Sequence, residues 1–240
     1  MYRNFVFDLY GTLLDIRTNE EKYTLWKKMS EIYGAYGAVY TPMELKKEFR
    51  RLERKLVSAL PACGEPDLRL VFAGLFEEKG VGCDASLVRS MAVTFRALSR
   101  NKLCVYEHVH ETLQELRKCG KGVYLLSNAQ TDFTRPEIAM TGLEDCFDGI
   151  LISSEEGFKK PTPQFYEKLF SAYGLQPAEC LMVGNDETSD IAGAIAAGMD
   201  SLYIHTEISP AIESVKGMAN YCVMDGDWTK VKELLLGFCK

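Results

Sequence analysis

The chain has 240 residues, 47% of them hydrophobic and 26% charged, with a formal net charge of -6. That length and apolar content support a full core in one large domain or two modest ones. The acidic balance argues against a general nucleic-acid-binding surface, though it leaves room for a local basic pocket that takes a small anion.

The first predicted element is the apolar run Phe5-Val6-Phe7, a buried strand that ends on Asp8, with a Gly11-Thr12 turn just beyond. Residues 18 to about 100 then change character. They are rich in Lys, Arg, Glu, Leu and Met, with helical spacing in 43–52 and 87–93 and breaks near 34–42, 61–66 and 80–82. No convincing strand is seen there. The charges of 46–55 read as a solvated helix face, and Tyr23 and Trp26 are expected in the core of this helical segment. From about residue 105 helices and short apolar runs alternate: helix 109–119, strands 122–126 and 149–152, helix 163–173, strand 181–183, helix 190–197, strands 201–204 and 221–224, helix 228–238. This alternation predicts an α/β fold with a parallel sheet covered on both faces. The first strand belongs to the same sheet, so the division expected is a core of residues 1–16 and 101–240 with an α-helical insertion over 17–100.

No segment approaches the ~18 consecutive apolar residues of a membrane span, and the acid at position 8 sits inside the first apolar run, unlike a signal peptide. The expectation is a cytoplasmic protein with no membrane partner. Eight cysteines, at 63, 83, 104, 119, 146, 180, 222 and 239, form no C-x-x-C pair. They read as reduced, mostly buried thiols rather than a disulfide framework or a zinc site.

Four polar clusters each follow a predicted strand and so can converge at one sheet edge, where open α/β sheets bind ligands. Asp8 to Thr12 is the first; an acid after an isolated strand is more often a turn or cap residue than a functional one. Ser127-Asn128 is the second, either an anion site or a helix cap. Lys159-Lys160-Pro161-Thr162-Pro163 is the third, a paired cation before helix-opening prolines, and alone it reads as a solvated loop. The fourth, Gly184 to Asp190, holds three acids in five residues. It suits a hard cation such as Mg2+, or equally the capping of a helix. His108 and His110 flank a helix start and read as surface or capping groups. His205 follows a strand and is a weaker candidate to approach the site, and Tyr166 reads as core.

Each cluster alone says little, but their order says more. Asp8-x-x-Gly11-Thr12, then Leu125-Leu126-Ser127-Asn128, then Lys160-Pro161-Thr162-Pro163, then Val183-Gly184-Asn185-Asp186 with Asp190-Ile191 beyond resemble the four motifs of the haloacid dehalogenase-like hydrolase superfamily. The resemblance covers nearly the whole chain, and 7–15 and 182–199 are its most specific parts. It implies a Rossmann-like three-layer core with the helical insertion as a cap over the active site. It implies Asp8 as the nucleophile, attacking phosphorus or carbon to form an aspartyl intermediate that water hydrolyses. Thr12 and Ser127, with Asn128 in the same motif, would hold the transferring group, and Lys160, rather than Lys159, would offset its charge. Mg2+ would be held by Asp8, the backbone carbonyl of Tyr10, and Asp186 and Asp190. Asn185 shifts the register, because many relatives have Gly-Asp where this chain has Gly-Asn-Asp, so which acid touches the metal stays open. The implied substrate is a small phosphorylated metabolite, with specificity lodged in the insertion.

One position departs from the phosphatase pattern. Most phosphatases of the superfamily carry a second Asp two residues after the nucleophile, as acid and base, and here that residue is Tyr10. A phenol of ordinary pKa near ~10 is a poor base at neutral pH, and losing a positioned acid–base costs on the order of a hundredfold or more. The string Asp8-Leu9-Tyr10-Gly11-Thr12-Leu13 is similar to the 2-haloacid dehalogenase branch, whose halide leaving group needs no proton. The acid-rich fourth motif points back to metal and phosphate. Three readings follow: a Mg2+-dependent phosphate-ester hydrolase, a halide-releasing hydrolase, and a catalytically weak binding or regulatory module on the same fold.

Overall fold

A computed structural model describes residues 2–62, 64–210 and 218–239. Strand β1 (Asn4–Phe7) is followed by a tight turn and β2 (Leu14–Thr18). Helices α1 (Tyr23–Ala35), α2 (Pro42–Ser58), α3 (Arg69–Glu77) and α4 (Ala85–Ser99) come next, and β3 (Arg100–Val105) runs back antiparallel to β2. The remainder alternates: α5 (Val109–Lys118), β4 (Gly122–Ser127), α6 (Thr131–Met140), β5 (Gly149–Ile152), the single turn α7 (Ser153–Glu156), α8 (Pro163–Tyr173), β6 (Cys180–Gly184), α9 (Ala192–Ala196), β7 (Asp200–Ile204), β8 (Tyr221–Val223) and α10 (Trp228–Gly237).

Among the described residues β1 and β4 to β8 form one parallel sheet in the order β5-β4-β1-β6-β7-β8. Strand side chains alternate between faces, and both faces are dry. Phe5, Phe7, Leu125 and Val183 pack with Leu113 of α5 and Leu235 of α10 on one side. Val6, Leu126 and Met182 pack with Tyr166 and Leu169 of α8 on the other. That is why these strands read as continuous apolar runs rather than alternating ones. Phe7 lies level with Leu125 of β4 and Val183 of β6, which brings three adjacent strand ends to one edge.

Helices α1 to α4 surround a separate cluster built on Trp26, Phe49, Phe72 and Phe95. Helix α2 opens with a capping box: Glu44 N–H donates to Thr41 Oγ1, Thr41 N–H donates to Glu44, and Pro42 sits where no donor is needed. Asp84 caps α4 in a similar way. Phe133 of α6 joins the same cluster, stacked on Phe95 with ring centroids 6.2 Å apart. The four-helix unit and the sheet layer therefore share α6.

Several expectations change in three dimensions. The β2–β3 ribbon through which the chain leaves and re-enters the sheet unit has no clear signature in sequence, because each strand is short and its partner is more than eighty positions away. Tyr23 is 59% exposed while Trp26 is buried; it opens α1, about a quarter-turn off the face carrying Leu25, Trp26, Met29 and Tyr33. Of the described cysteines, Cys146 and Cys180 are buried, Cys83 and Cys239 are half-buried, and Cys104, Cys119 and Cys222 are exposed. The exposed ones stand on the β2–β3 ribbon, past the end of α5 and on the edge strand β8. Cys63 lies outside the described residues. No described helix is long and apolar enough to cross a membrane.

Candidate active site

The three aligned strand ends deliver Asp8 after β1, Ser127 as the last residue of β4, and the turn after Gly184 of β6. Lys160 arrives from the loop before α8. Its Nζ lies 2.7 Å from Asp8 Oδ1 and 2.7 Å from Asp190 Oδ1, with the residue only 2% exposed. Asn128 brackets its backbone: Asn128 Oδ1 accepts from Lys160 N–H at 2.7 Å and Nδ2 donates to Lys160 C=O at 2.9 Å. Asn128 thus places the lysine through its main chain. Lys159 turns away toward Glu65, at 3.9 Å, in the segment between α2 and α3.

Thr12 is fully buried, and its hydroxyl lies 3.2 Å from Asp8 Oδ2 and 3.3 Å from Asn185 Oδ1. One proton serves two acceptors, so both bonds are long. Gly11 has φ +84°, and a Cβ there would stand 2.2 Å from Asn185 Nδ2, so the turn after Asp8 and the loop after β6 approach as closely as only glycine permits. Ser127 Oγ is buried and has no hydrogen-bond partner among the described residues. A buried, unpaired hydroxyl is costly, and an oxyanion placed beside it would satisfy it.

Asp190 is 1% exposed and holds the fourth motif together. Its Oδ2 accepts from the N–H groups of Asn185 and Asp186, each at 3.0 Å, while Oδ1 faces Lys160. A wide π-helical turn, Glu187–Ile191, carries it back to those amides before α9 begins. The expected single helix over 190–197 is therefore split. The Tyr166 hydroxyl donates to the carbonyls of Ser189 and Asp190, so this buried aromatic fixes the same turn. Burial, then the nearby Asp8 charge, pushes the Asp190 carboxyl up against the pull of Lys160. Burial works against the Lys160 ammonium, but Asp190 and Asp8 outweigh it and hold its pKa above the usual lysine value. Asp186 caps the turn with Oδ1, which accepts from Thr188 and Ser189 N–H and from the Thr188 hydroxyl. Burial opposes its ionisation, yet these bonds keep its carboxyl below the ordinary range.

The family model for haloacid dehalogenase-like hydrolases matches residues 2–198. The chain belongs to this family. It is 30% identical over 154 residues to a phosphoserine phosphatase of Thermus thermophilus, a match covering 64% of this chain and 61% of that enzyme, so it spans less than two thirds of that relative's length. It is 28% identical over 239 residues to the pyrophosphatase PpaX of Bacillus velezensis, covering 96% of this chain and 93% of that one. Among solved structures, a 2-haloacid dehalogenase of Pseudomonas syringae superposes with a TM-score of 0.66 at 20% identity, covering 99% of this chain and 100% of that one, a likeness of fold.

In this haloacid dehalogenase-like hydrolase the acids are placed unequally for a metal. Mg2+ takes oxygen ligands and commonly binds through one or two carboxylates, with waters and substrate oxygens completing its shell. Both Asp190 oxygens are committed, to two amides and to Lys160. Asp8 Oδ2 holds one long bond, and Asp186 carries its cap on Oδ1 alone. Among the described residues no three acid, histidine or cysteine side chains converge as a ready-made cage. A set of two carboxylates with a main-chain carbonyl is the kind of donor set Mg2+ accepts, and Asp8 and Asp186 fit it.

Tyr10 does not aim its phenol at the nucleophile. The hydroxyl donates to Glu137 Oε2 at 2.5 Å and lies 3.1 Å from Thr134 Oγ1, both on α6. Burial and the Glu137 charge push the phenol well above its ordinary pKa, so it is no base near neutrality. Tyr10 borders a cleft of about 320 Å³ between the sheet edge and the helical unit, along with Glu53, Glu65, Arg96, Gln130 and Phe133. A larger hollow of about 750 Å³ along β5 and α8 contains none of the site residues.

Sequence reasoning missed how α6 ties the two units together. Gln130 Oε1 accepts from Leu68 N–H, and its Nε2 donates to Glu65 and to the Pro66 carbonyl. Glu137 pairs with Arg96 and Arg100. A signal for Glu137 was present, since it is an acid on the face of α6 that also carries Phe133, Thr134 and Ile138. The histidines make local contacts: His108 precedes α5 between Glu107 and Glu111, His110 Nδ1 lies 4.0 Å from Cys146, and His205 Nδ1 lies 3.0 Å from the Tyr203 hydroxyl.

Proposed function

We propose that this hydrolase cleaves small phosphate monoesters with Mg2+, through an aspartyl-phosphate on Asp8, and that residues 17–100 act as the cap. The observation that carries the reading is the buried Lys160 held between Asp8 and Asp190 beside the unpartnered Ser127 hydroxyl. One ammonium faces two carboxylates, so the site retains a negative charge that a divalent cation offsets, and Ser127 awaits an anionic oxygen. The phosphatase names of the relatives at about 30% identity support the same class.

Asp8, paired with Lys160, attacks phosphorus through one carboxylate oxygen as the bond to the leaving alcohol breaks. Ser127 donates to a transferring phosphoryl oxygen, Thr12 steadies the Asp8 carboxylate, and Lys160 offsets charge that develops there. Water then attacks the acyl phosphate and regenerates the Asp8 carboxylate with release of inorganic phosphate. Mg2+, held by Asp8, the Tyr10 carbonyl and Asp186, would supply charge neutralisation between the two anions. Asp190 then serves to position Lys160 and the loop before Asp186. Tyr10 supplies no proton, so the alcohol takes its proton from solvent, and aryl and acyl phosphates should be the better substrates.

The second reading, halide release from a 2-haloacid by an aspartyl ester, is favoured by one observation: the phenol of Tyr10 is locked against Glu137 and offers no acid. The two readings part in one assay. Hydrolysis of p-nitrophenyl phosphate that needs Mg2+ and is lost in Asp8→Asn supports the first. Metal-independent chloride release from 2-chloropropionate overturns it. Absence of any Asp8-dependent turnover leaves the binding-module reading.

A further inference from the structure

We propose that Glu137 is a positioning residue that latches the cap over the site and, through Tyr10, sets the nucleophile turn in the same event. This goes beyond the phosphatase reading and uses it only for its kinetic readout.

Glu137 is 1% exposed, and four donors fill its two oxygens. Arg96 Nε donates to Oε1 at 2.8 Å and Arg96 Nη2 to Oε2 at 3.1 Å; Arg100 Nη1 donates to Oε1 at 3.0 Å and the Tyr10 hydroxyl to Oε2 at 2.5 Å. These donors come from different parts of the fold. Arg96 lies in the last turn of α4, and Arg100 opens β3, the strand that returns from the cap. Tyr10 lies two residues after Asp8, and Glu137 itself belongs to the helix that follows β4.

A carboxylate this deeply buried is stable only while its cations are in place. Swinging α4 and the ribbon away would remove both guanidiniums at once, so the closed position is favoured by every bond Glu137 makes. Arg96 also lies over the rings of Tyr10 and Phe133, 5.3 and 5.4 Å from their centroids, and so fastens the cap to the same tyrosine by a second contact. Tyr10 Oη is held on the α6 side while the next residue, Gly11, abuts Asn185. The turn that carries Asp8 is thereby held at two adjacent residues, and the carboxylate that holds Tyr10 is the one that also accepts from Arg96 and Arg100 of the cap.

The two halves of the latch predict different kinetics. Tyr10→Phe removes the link to the nucleophile turn and is expected to lower kcat about five- to tenfold with little change in KM. Arg100→Ala weakens cap closure and is expected to raise KM by a similar factor with kcat nearly kept, since substrate must then draw the cap shut. Glu137→Gln, which keeps size but loses charge, should move both. The Tyr10→Phe/Arg100→Ala double variant should depart from the product of the singles by at least about threefold in kcat/KM. Amide hydrogen exchange in the last turn of α4 should quicken in Arg100→Ala and Glu137→Gln relative to the unaltered protein.

Lowered melting temperatures with unchanged kcat and KM would overturn the proposal, as would singles that simply multiply. If the unaltered protein hydrolyses no phosphate ester, the phosphatase reading fails by itself. The exchange measurement then decides the latch alone: protection of 96–99 that is indifferent to Glu137→Gln overturns it.

Discussion

Lys160 lies between two carboxylates, and Glu137 lies between two guanidiniums; both are nearly sealed from solvent. The two clusters are electrostatic opposites with different purposes. The Lys160 cluster draws its members from the carboxyl ends of adjoining strands and the loop beside them, all fixed by one sheet. It carries surplus negative charge and a hydroxyl with no partner among the described residues, which the proposed cation and phosphate would offset. The Glu137 cluster has every acceptor filled, and its members come from α4, the start of β3, the turn after β1 and α6. A filled cluster is complete without a ligand. It joins parts, whereas the unfilled one is where we propose that ligands bind.

The largest test of this contrast is chemical. Asp8→Asn is expected to remove turnover by on the order of a thousandfold or more while leaving the fold intact, as read by steady-state assay and circular dichroism. Comparable loss from a change confined to the Glu137 cluster would erase the distinction between the site and its joint. Next comes Lys160→Met. It leaves two carboxylates buried without their cation and should cost about 3–5 kcal/mol in urea unfolding. The same change in an Asp8→Asn background should cost clearly less, because one of the stranded charges is gone.

Ser127→Ala sharpens the view that the site is unfilled. Its hydroxyl has no hydrogen-bond partner among the described residues, so unfolding free energy should hold or rise slightly. Phosphatase kcat/KM should nonetheless fall about ten- to a hundredfold, the worth of one hydrogen bond to a charged group. A large loss of stability would mean that Ser127 serves the fold instead. The smallest effect is expected at another cap–core contact. Arg89 lies 3.5 Å from Asp132 but is 66% exposed, so Arg89→Ala should cost less than about 1 kcal/mol and leave KM alone. If it matches Arg100→Ala, burial is not what gives the Glu137 joint its strength.

Much of this protein was legible in its sequence because the physics there is local. Apolar runs short enough for strands, alternating with helical spacing, determined a parallel α/β sheet. Clusters falling just after those runs placed Asp8, Ser127 and Asp186 at one edge, since strand ends in such a sheet face one way. Of the pair Lys159-Lys160, Lys160 is the buried one. Other features depended on partners distant along the chain. Asp186 and Asp190 look alike in sequence, and only the turn that folds Asp190 back on the amides of Asn185 and Asp186 separates the anchor from the acid with an oxygen to spare. Asn128 reads as a site residue, and only its two bonds to the Lys160 backbone show what it holds. Tyr10 announces a missing acid, but the direction of its phenol is decided by Glu137, 127 positions away. Hydrophobic patterning is written over a few residues and survives in one dimension. The pairing of buried charges must close over long loops, so it exists only once the chain has folded.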